Sequence, residues 1–187
     1  MALGSSLMLL GVGYVKSQAV MEPPFGLCWG DSPEKLISWA TRQSLDVTIQ
    51  LQSAQPAVRI LKIQAKKGCL PDTQVGSIEG HFLTGKLYEL TIHYFDENAS
   101  SDVMESRFET VKKQFVRERG VFLTNQQLRT VDNQFATRTQ SFHREPVKGL
   151  FQLLVFTEVE DLLRKTKNTR FSIVYKNNNF EEQLLKL

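Results

Sequence analysis

Two cysteines in 187 residues are too few for a four-cysteine zinc site or a disulfide-rich scaffold. Charge of one sign is just as thin. The 23 Lys and Arg against 20 Asp and Glu leave +3, too little alone to argue for a nucleic-acid or membrane partner. The sequence has no G-x-S-x-G, no H-E-x-x-H, no Walker loop and no dinucleotide fingerprint, so the common hydrolase, zincin, nucleotidase and dehydrogenase signatures are missing. No internal repeat is visible, and no low-complexity tract beyond Asn177–Asn179. What is present is 41% apolar and 23% charged residues with twelve Phe, the composition of a folded domain rather than a disordered chain. A chain of this size buries roughly 70% of its unfolded surface and needs no metal to fold.

Residues Met1–Val15 carry no charge and are mostly apolar; Lys16 and the small-x-small triplet Ser17-Gln18-Ala19 follow. A run of roughly 13–15 residues is short for a bilayer span, which needs about 20. It suits the apolar region of a secretory signal. This predicts a signal peptide over residues 1–19, a linker over 20–24 containing Glu22-Pro23-Pro24, and one domain over 25–187. The mature chain is then expected to be exported, periplasmic or secreted, without a transmembrane span. A retained N-terminal anchor is the minor alternative. Lipid attachment at Cys28 is not expected, because Leu27 stands where a small residue is required. In an oxidising compartment Cys28 and Cys69 are an even pair and a candidate disulfide, worth about 4 kcal/mol in the chain-entropy account. Two unpaired buried thiols are the other reading.

Along the chain, Phe25, Leu27 and Trp29 alternate with Gly26 and Cys28, which predicts a short strand ended by Gly30. Asp31-Ser32-Pro33-Glu34 is a helix start: Asp31 is the N-cap candidate and Glu34 follows three residues later, as in a capping box. Leu36, Ile37 and Ala40 form the buried stripe of a helix running to about Gln43, with Trp39 at its border. Strands are expected at Asp46–Leu51 and Val58–Ala65; a shift of apolar frame from Val58 and Ile60 to Leu61 and Ile63 marks a candidate bulge. Val75–Phe95 reads as a hairpin with Ile78, Gly80, Phe82, Tyr88, Leu90, Ile92 and Tyr94 inward. A three-residue loop at Leu83-Thr84-Gly85 sets Glu79 opposite Glu89, whereas a five-residue loop pairs His81 with Glu89; both stay open.

Ser100-Ser101-Asp102 caps a second helix to about Arg119, with Met104, Phe108, Val111 and Phe115 as its apolar stripe and Gly120 as its stop. Thr124–Gln140, rich in Gln, Asn and Thr, lacks a period and reads as a long connection into a polar strand around Phe135–Phe142. Leu150–Thr157 and Arg170–Lys176 are two more strands joined by a charged loop, Glu158–Thr169; Phe180–Leu187 can form a last short helix. This order predicts an α+β fold, an antiparallel sheet with two main helices packed on one face.

The nearest approach to a catalytic or metal cluster is His81 and His93, which share the polar face of the hairpin with Glu79 and Glu89. In the three-residue-loop register His93 falls opposite Val75, far from His81, so a solvated sheet face is expected. No catalytic, cofactor-binding or metal-binding residue is assigned and no cofactor is expected. Residues Arg107–Lys148 hold nine Lys/Arg and four Asp/Glu. Lys113 and Arg117, opposite the apolar stripe, and Arg119 are the basic-face candidates. A nucleic-acid groove wants exposed aromatics between its basic residues, and the Phe residues here sit at core spacings. Nucleic acid is therefore not the expected partner, although contact with an anionic partner or membrane headgroup stays open.

The segment Phe25-Gly26-Leu27-Cys28-Trp29-Gly30-Asp31-Ser32-Pro33-Glu34 resembles the opening of many small exported bacterial proteins, an F-G-x-x-W-G-x-S-x-E pattern. The group is that of the small outer-membrane-assembly lipoproteins (SmpA/OmlA) and the β-lactamase inhibitor protein. Gly85-Lys86-Leu87-Tyr88 and the Phe-containing second helix look similar as well. The resemblance implies a helix pair on an antiparallel sheet and a role in binding other proteins rather than catalysis; it assigns no binding residue. The expected function is that of an exported, non-enzymatic domain binding a protein or envelope component. The alternatives are a divergent hydrolase or metal-dependent enzyme using His81 and His93, and an anion or nucleic-acid binder through residues 107–148.

Overall fold

The computed structural model describes residues 21–51, 57–64 and 75–184. The signal-peptide expectation and the Cys69 half of the candidate disulfide lie outside the described residues; Cys28 itself is exposed. The elements are α1 (Pro33–Arg42), β1 (Asp46–Leu51), β2 (Val58–Gln64), β3 (Val75–Leu83), β4 (Lys86–Phe95), α2 (Ser101–Arg119), β5 (Leu123–Val131), β6 (Phe135–Val147), β7 (Leu150–Asp161), β8 (Thr166–Asn177) and α3 (Asn178–Leu184). All eight strands form one antiparallel sheet in the order β1-β2-β3-β4-β8-β7-β6-β5. The fold is α+β with strands dominant.

A helix followed by a four-stranded meander occurs twice, α1 with β1–β4 and α2 with β5–β8. The two meanders join through β4 and β8, where Ile92 lies opposite Ile173. The sequence shows no such repeat because the two units share chain order and not residues.

Pro33 opens α1 and Ser32, not Asp31, takes the N-cap place, without a side-chain cap bond. Asp31 is occupied elsewhere: it accepts from the Cys28 backbone N–H at 2.6 Å and pairs with Lys35 at 2.8 Å. The strand expected at Phe25–Trp29 is not formed. Phe25 and Gly26 both adopt left-handed backbone, φ 69° and 70°, which turns the chain back on itself. Leu27 is buried, and the Phe25 ring packs 4.5 Å from that of Trp39. The Trp29 indole donates to the Met21 carbonyl at 2.8 Å, and Met21 and Pro23 are buried against the domain.

The main core gathers Leu36, Trp39 and Ala40 of α1 and Met104 and Phe108 of α2 with sheet residues including Leu61, Ile78, Leu90, Phe156 and Phe171. The α2 stripe is as expected, Met104 and Phe108 being buried and Val111 and Phe115 packed partly against the core. Ser100 caps this helix by accepting from the Val103 N–H. The frame shift in β2 is not a bulge. Its register on β3 runs unbroken from Val58–Leu83 to Gln64–Ser77. Both faces of β2 are covered: Leu61 and Ile63 enter the main core, while Val58 and Ile60 meet Leu83, Tyr88 and Phe180 in a second cluster.

The bulge lies in the next hairpin. Thr84 and Gly85, at φ 49° and 77°, make a two-residue turn that pairs Leu83 with Lys86 and Phe82 with Leu87. The register then slips so that His81 faces Glu89 and Ser77 faces His93. One extra residue in β4 turns Tyr88 away from the main core, against the inward placement expected for it, and into the second cluster.

Beyond α2 the strands run longer than hydrophobic alternation indicates. The polar connection expected at Thr124–Gln140 is largely strand: β5, a turn at 132–134, and the start of β6. The charged loop expected at Glu158–Thr169 shrinks to a turn at 162–165 between β7 and β8.

Candidate functional site

The register slip at Tyr88 assembles what the sequence had kept apart. On the sheet face bearing Glu79, His93 Nε2 stands 3.5 Å and His81 Nε2 3.9 Å from Glu79 Oε2. His81 Nδ1 stands 3.9 Å from Glu89 Oε1, Lys62 Nζ is 3.3 Å from Glu79 Oε1, and Lys176 reaches both Glu89 and Glu181. His93 Nδ1 contacts Ser172 Oγ at 2.8 Å. Each of these carboxylates and histidines is less than a third exposed. The histidines beside Glu79, first His81 and then His93, hold its carboxyl well below the usual carboxylate range, with burial opposing and Lys62 adding to the effect. Burial beside Glu89 and Glu181 pushes the Tyr88 hydroxyl up to about 12.

Chemically the row is an alternation of acids and bases on four adjacent strands, β2, β3, β4 and β8. Ser172, His93 and Glu79 even stand in the order hydroxyl, imidazole, carboxylate. Acyl transfer, however, also needs hydrogen-bond donors aimed at the developing oxyanion. Ser172 sits inside β8, paired with β4 on one side and β7 on the other, so its strand offers no spare backbone amides. Among the described residues no three His, Cys, Asp or Glu side chains form a group able to hold a metal ion.

The basic-face residues are dispersed. Lys113 and Arg117 are exposed on α2, as their position opposite the stripe predicts. Arg119 is exposed too and lays its guanidinium 4.8 Å from the Phe115 ring. Several other cations of residues 107–148 are tied to carboxylates: Arg107 to Asp96, Lys112 to Glu109, and Arg138 to Glu105 through two bonds of 3.1 and 2.9 Å. The local excess of positive charge is therefore split among pairs instead of forming a continuous stripe.

The feature that sequence reasoning missed is the edge strand β5. All nine of its residues, Leu123–Val131, are exposed, and among the described residues only β6 pairs with it. Leu123, Leu128 and Val131 are exposed apolar residues, flanked by Val121 and Phe135. Arg129 is the only charge in the strand. A scan for exposed β-branched and apolar residues in a low-charge stretch could have found it; a scan for alternation could not.

Comparison with protein-family models, with curated proteins and with solved structures found no match to this chain. Among the described residues no helix is long and apolar enough to cross a membrane.

Proposed function

We propose that this chain is an exported, non-enzymatic domain that works by binding another protein or a component of the cell envelope, with the β5 edge as its contact. The observation that carries this reading is the edge itself: nine exposed residues, a row of backbone donors and acceptors unpaired among the described residues, and a single charge. Sheet edges are usually guarded by charges, prolines, bulges or a covering element, since an open edge is a template for another strand. Here a register irregularity at Thr124/Gln126 and Arg129 are the guards, and the apolar Leu128 and Val131 lie beyond the irregularity. Addition of an extended segment to such an edge is a common mode of protein recognition. The export part is supported by the uncharged Met1–Val15 run and the Ser17-Gln18-Ala19 triplet. The shared core of α1 and α2 supports a placement of both on one face, the arrangement implied by the resemblance to the SmpA/OmlA and β-lactamase-inhibitor group.

The test is site-specific photocrosslinking in the producing cell, with the reactive residue at Leu128 and, as control, at Ile49 on the opposite edge strand β1. Crosslinks to a defined partner from Leu128 and not from Ile49, abolished by Val131→Lys, support the reading. Equal crosslinking from both edges, or none from Leu128, refutes it. Recovery of the chain only in the cytosol with its N-terminus intact refutes the export part. Hydrolysis at His93 is the lesser reading, because the Ser172–His93–Glu79 contacts lack an oxyanion site.

A further inference from the structure

On the face of the sheet beneath α2, Arg144 of β6, Gln152 of β7 and Tyr175 of β8 lie side by side across three strands, each paired with the next in register. Arg119, from the last turn of α2, completes the group: Arg119, Arg144 and Gln152 line a cleft of about 400 Å³, walled also by Met21 and Pro146. Gln152 is fully buried; the Tyr175 hydroxyl stands beside its carboxamide, and among the described residues no group meets hydrogen-bond geometry with its Oε1 or Nε2. A buried carboxamide left without full hydrogen bonding is rare, since burying an unsatisfied polar group is destabilising. Leucine would fill the same place without that penalty.

The two arginines are similarly unmatched. No ion pair engages Arg119 or Arg144 among the described residues. Arg144 donates to the Arg119 carbonyl oxygen and lies over the Phe122 ring, and Arg119 lies over Phe115. Burial, and then the neighbouring Arg119, depress the affinity of Arg144 for its proton. The Tyr175 hydroxyl is pushed up by burial, opposed by the Arg119 charge and by the approach of the Gln152 and Arg119 donors. Two carboxylates line the cleft as well, each with a partner of its own: Glu22 accepts from the Trp29 N–H at 3.2 Å and Glu118 from Gln114 at 2.9 Å.

We propose that this cleft binds the free carboxyl terminus of a peptide, with Arg119 and Arg144 taking the carboxylate and Gln152 pairing with the last amide. Guanidinium groups form forked, charge-assisted bonds to a carboxylate. A carboxamide carries both a donor and an acceptor and is the natural complement of a peptide amide. The Met21 and Pro146 walls offer apolar surface to the terminal side chain. This inference does not rest on the β5 reading, and the two sites are tested separately.

The probes are N-acetyl-Ala-Ala-Leu with a free carboxylate, the same peptide with an amidated C-terminus, and inorganic phosphate. They are titrated into the ¹⁵N-labelled full chain and followed by the Gln152 side-chain amide and arginine Nε–H resonances. The free acid is expected to shift those signals saturably, with affinity at least tenfold above the amidated peptide and above phosphate. Arg144→Gln should weaken binding at least tenfold. Gln152→Leu should raise the melting temperature while weakening binding, an opposition that a purely structural glutamine would not produce. Equal response to the acid and the amide, phosphate binding as tight as the peptide, or no shift at Gln152 with the free acid would each overturn the proposal.

Discussion

A methyl group added at Gly80 would lie 2.5 Å from Leu36 Cδ2 and 3.0 Å from Phe82 Cε2. Normal carbon contacts are about 3.5–4.0 Å, so the methyl would intrude on Leu36 by at least ~1 Å. Leu36 has nowhere to retreat, being fully buried between α1 and the sheet. Overpacking of this kind costs about 1–3 kcal/mol. Replacing glycine by alanine returns roughly 0.4–1 kcal/mol by restricting the unfolded chain. The net expectation for Gly80→Ala is a loss of roughly 1–2 kcal/mol. Leu36→Ala alone should cost about 2–5 kcal/mol through lost burial and a cavity. In the double variant the Leu36 Cδ2 that the added methyl meets is gone, so the pair should be more stable than the sum of the singles predicts by about 1–2 kcal/mol. Urea denaturation followed by the fluorescence of Trp29 and Trp39 measures each corner of the cycle, with unchanged slopes confirming comparable transitions. Additive losses, within about 0.3–0.5 kcal/mol, would refute the seating of α1 over Gly80.

Two further outcomes follow from the charged clusters. Glu79 has a depressed pKa in the folded state, so its contribution to stability is present above the unfolded value, about 4.3, and is lost as pH falls through the lower folded one. The stability gap between wild type and Glu79→Gln should therefore be full at neutral pH and shrink below about pH 4; a gap that stays constant from pH 7 to pH 3 would contradict the assigned contacts. Arg138 makes a forked contact with Glu105, with Nε 3.6 Å from Glu158, and its guanidinium lies over the Phe156 ring at 5.1 Å. Lysine can reproduce neither the fork nor the planar stacking, so Arg138→Lys should lower stability by about 1 kcal/mol in thermal or urea unfolding, and an unchanged midpoint would count against that geometry.

The parts of this fold that hydrophobic patterning reveals are those with one wet face and one dry face. α2 is the clearest: Met104, Phe108, Val111 and Phe115 mark its buried side, and Ser100 and Gly120 mark its ends. β2 defeats the same logic because both its faces are covered, so apolar residues in adjacent frames mimic a bulge. β5 defeats it from the other direction, being exposed on both faces and leaving no alternation to read. Phe25, Leu27 and Trp29 alternate by coincidence in a turn whose left-handed residues the pattern does not encode. The His81–Glu79–His93 cluster hinged on one slipped residue, Tyr88: the His81–Glu89 pairing of the five-residue-loop alternative is the one formed, but through a two-residue turn and a bulge. Gln152 and Arg144 escaped notice because neither belongs to a motif; only their orphaned polar atoms and shared register mark them.

The β4–β8 seam has a consequence for how this chain finds its structure. Every other strand pair joins neighbours in sequence, so each meander can zip from its own turns. The seam alone must bring the first half of the chain to its far end, and contacts so distant in sequence carry most of the chain-closure entropy that slows folding. Until Ile92 meets Ile173, Leu90, Ile92, Phe171 and Ile173 stand on two unjoined sheet edges. Ribosomal synthesis makes the first meander well before β8 exists, so that edge waits in the open during translation and during any passage across a membrane.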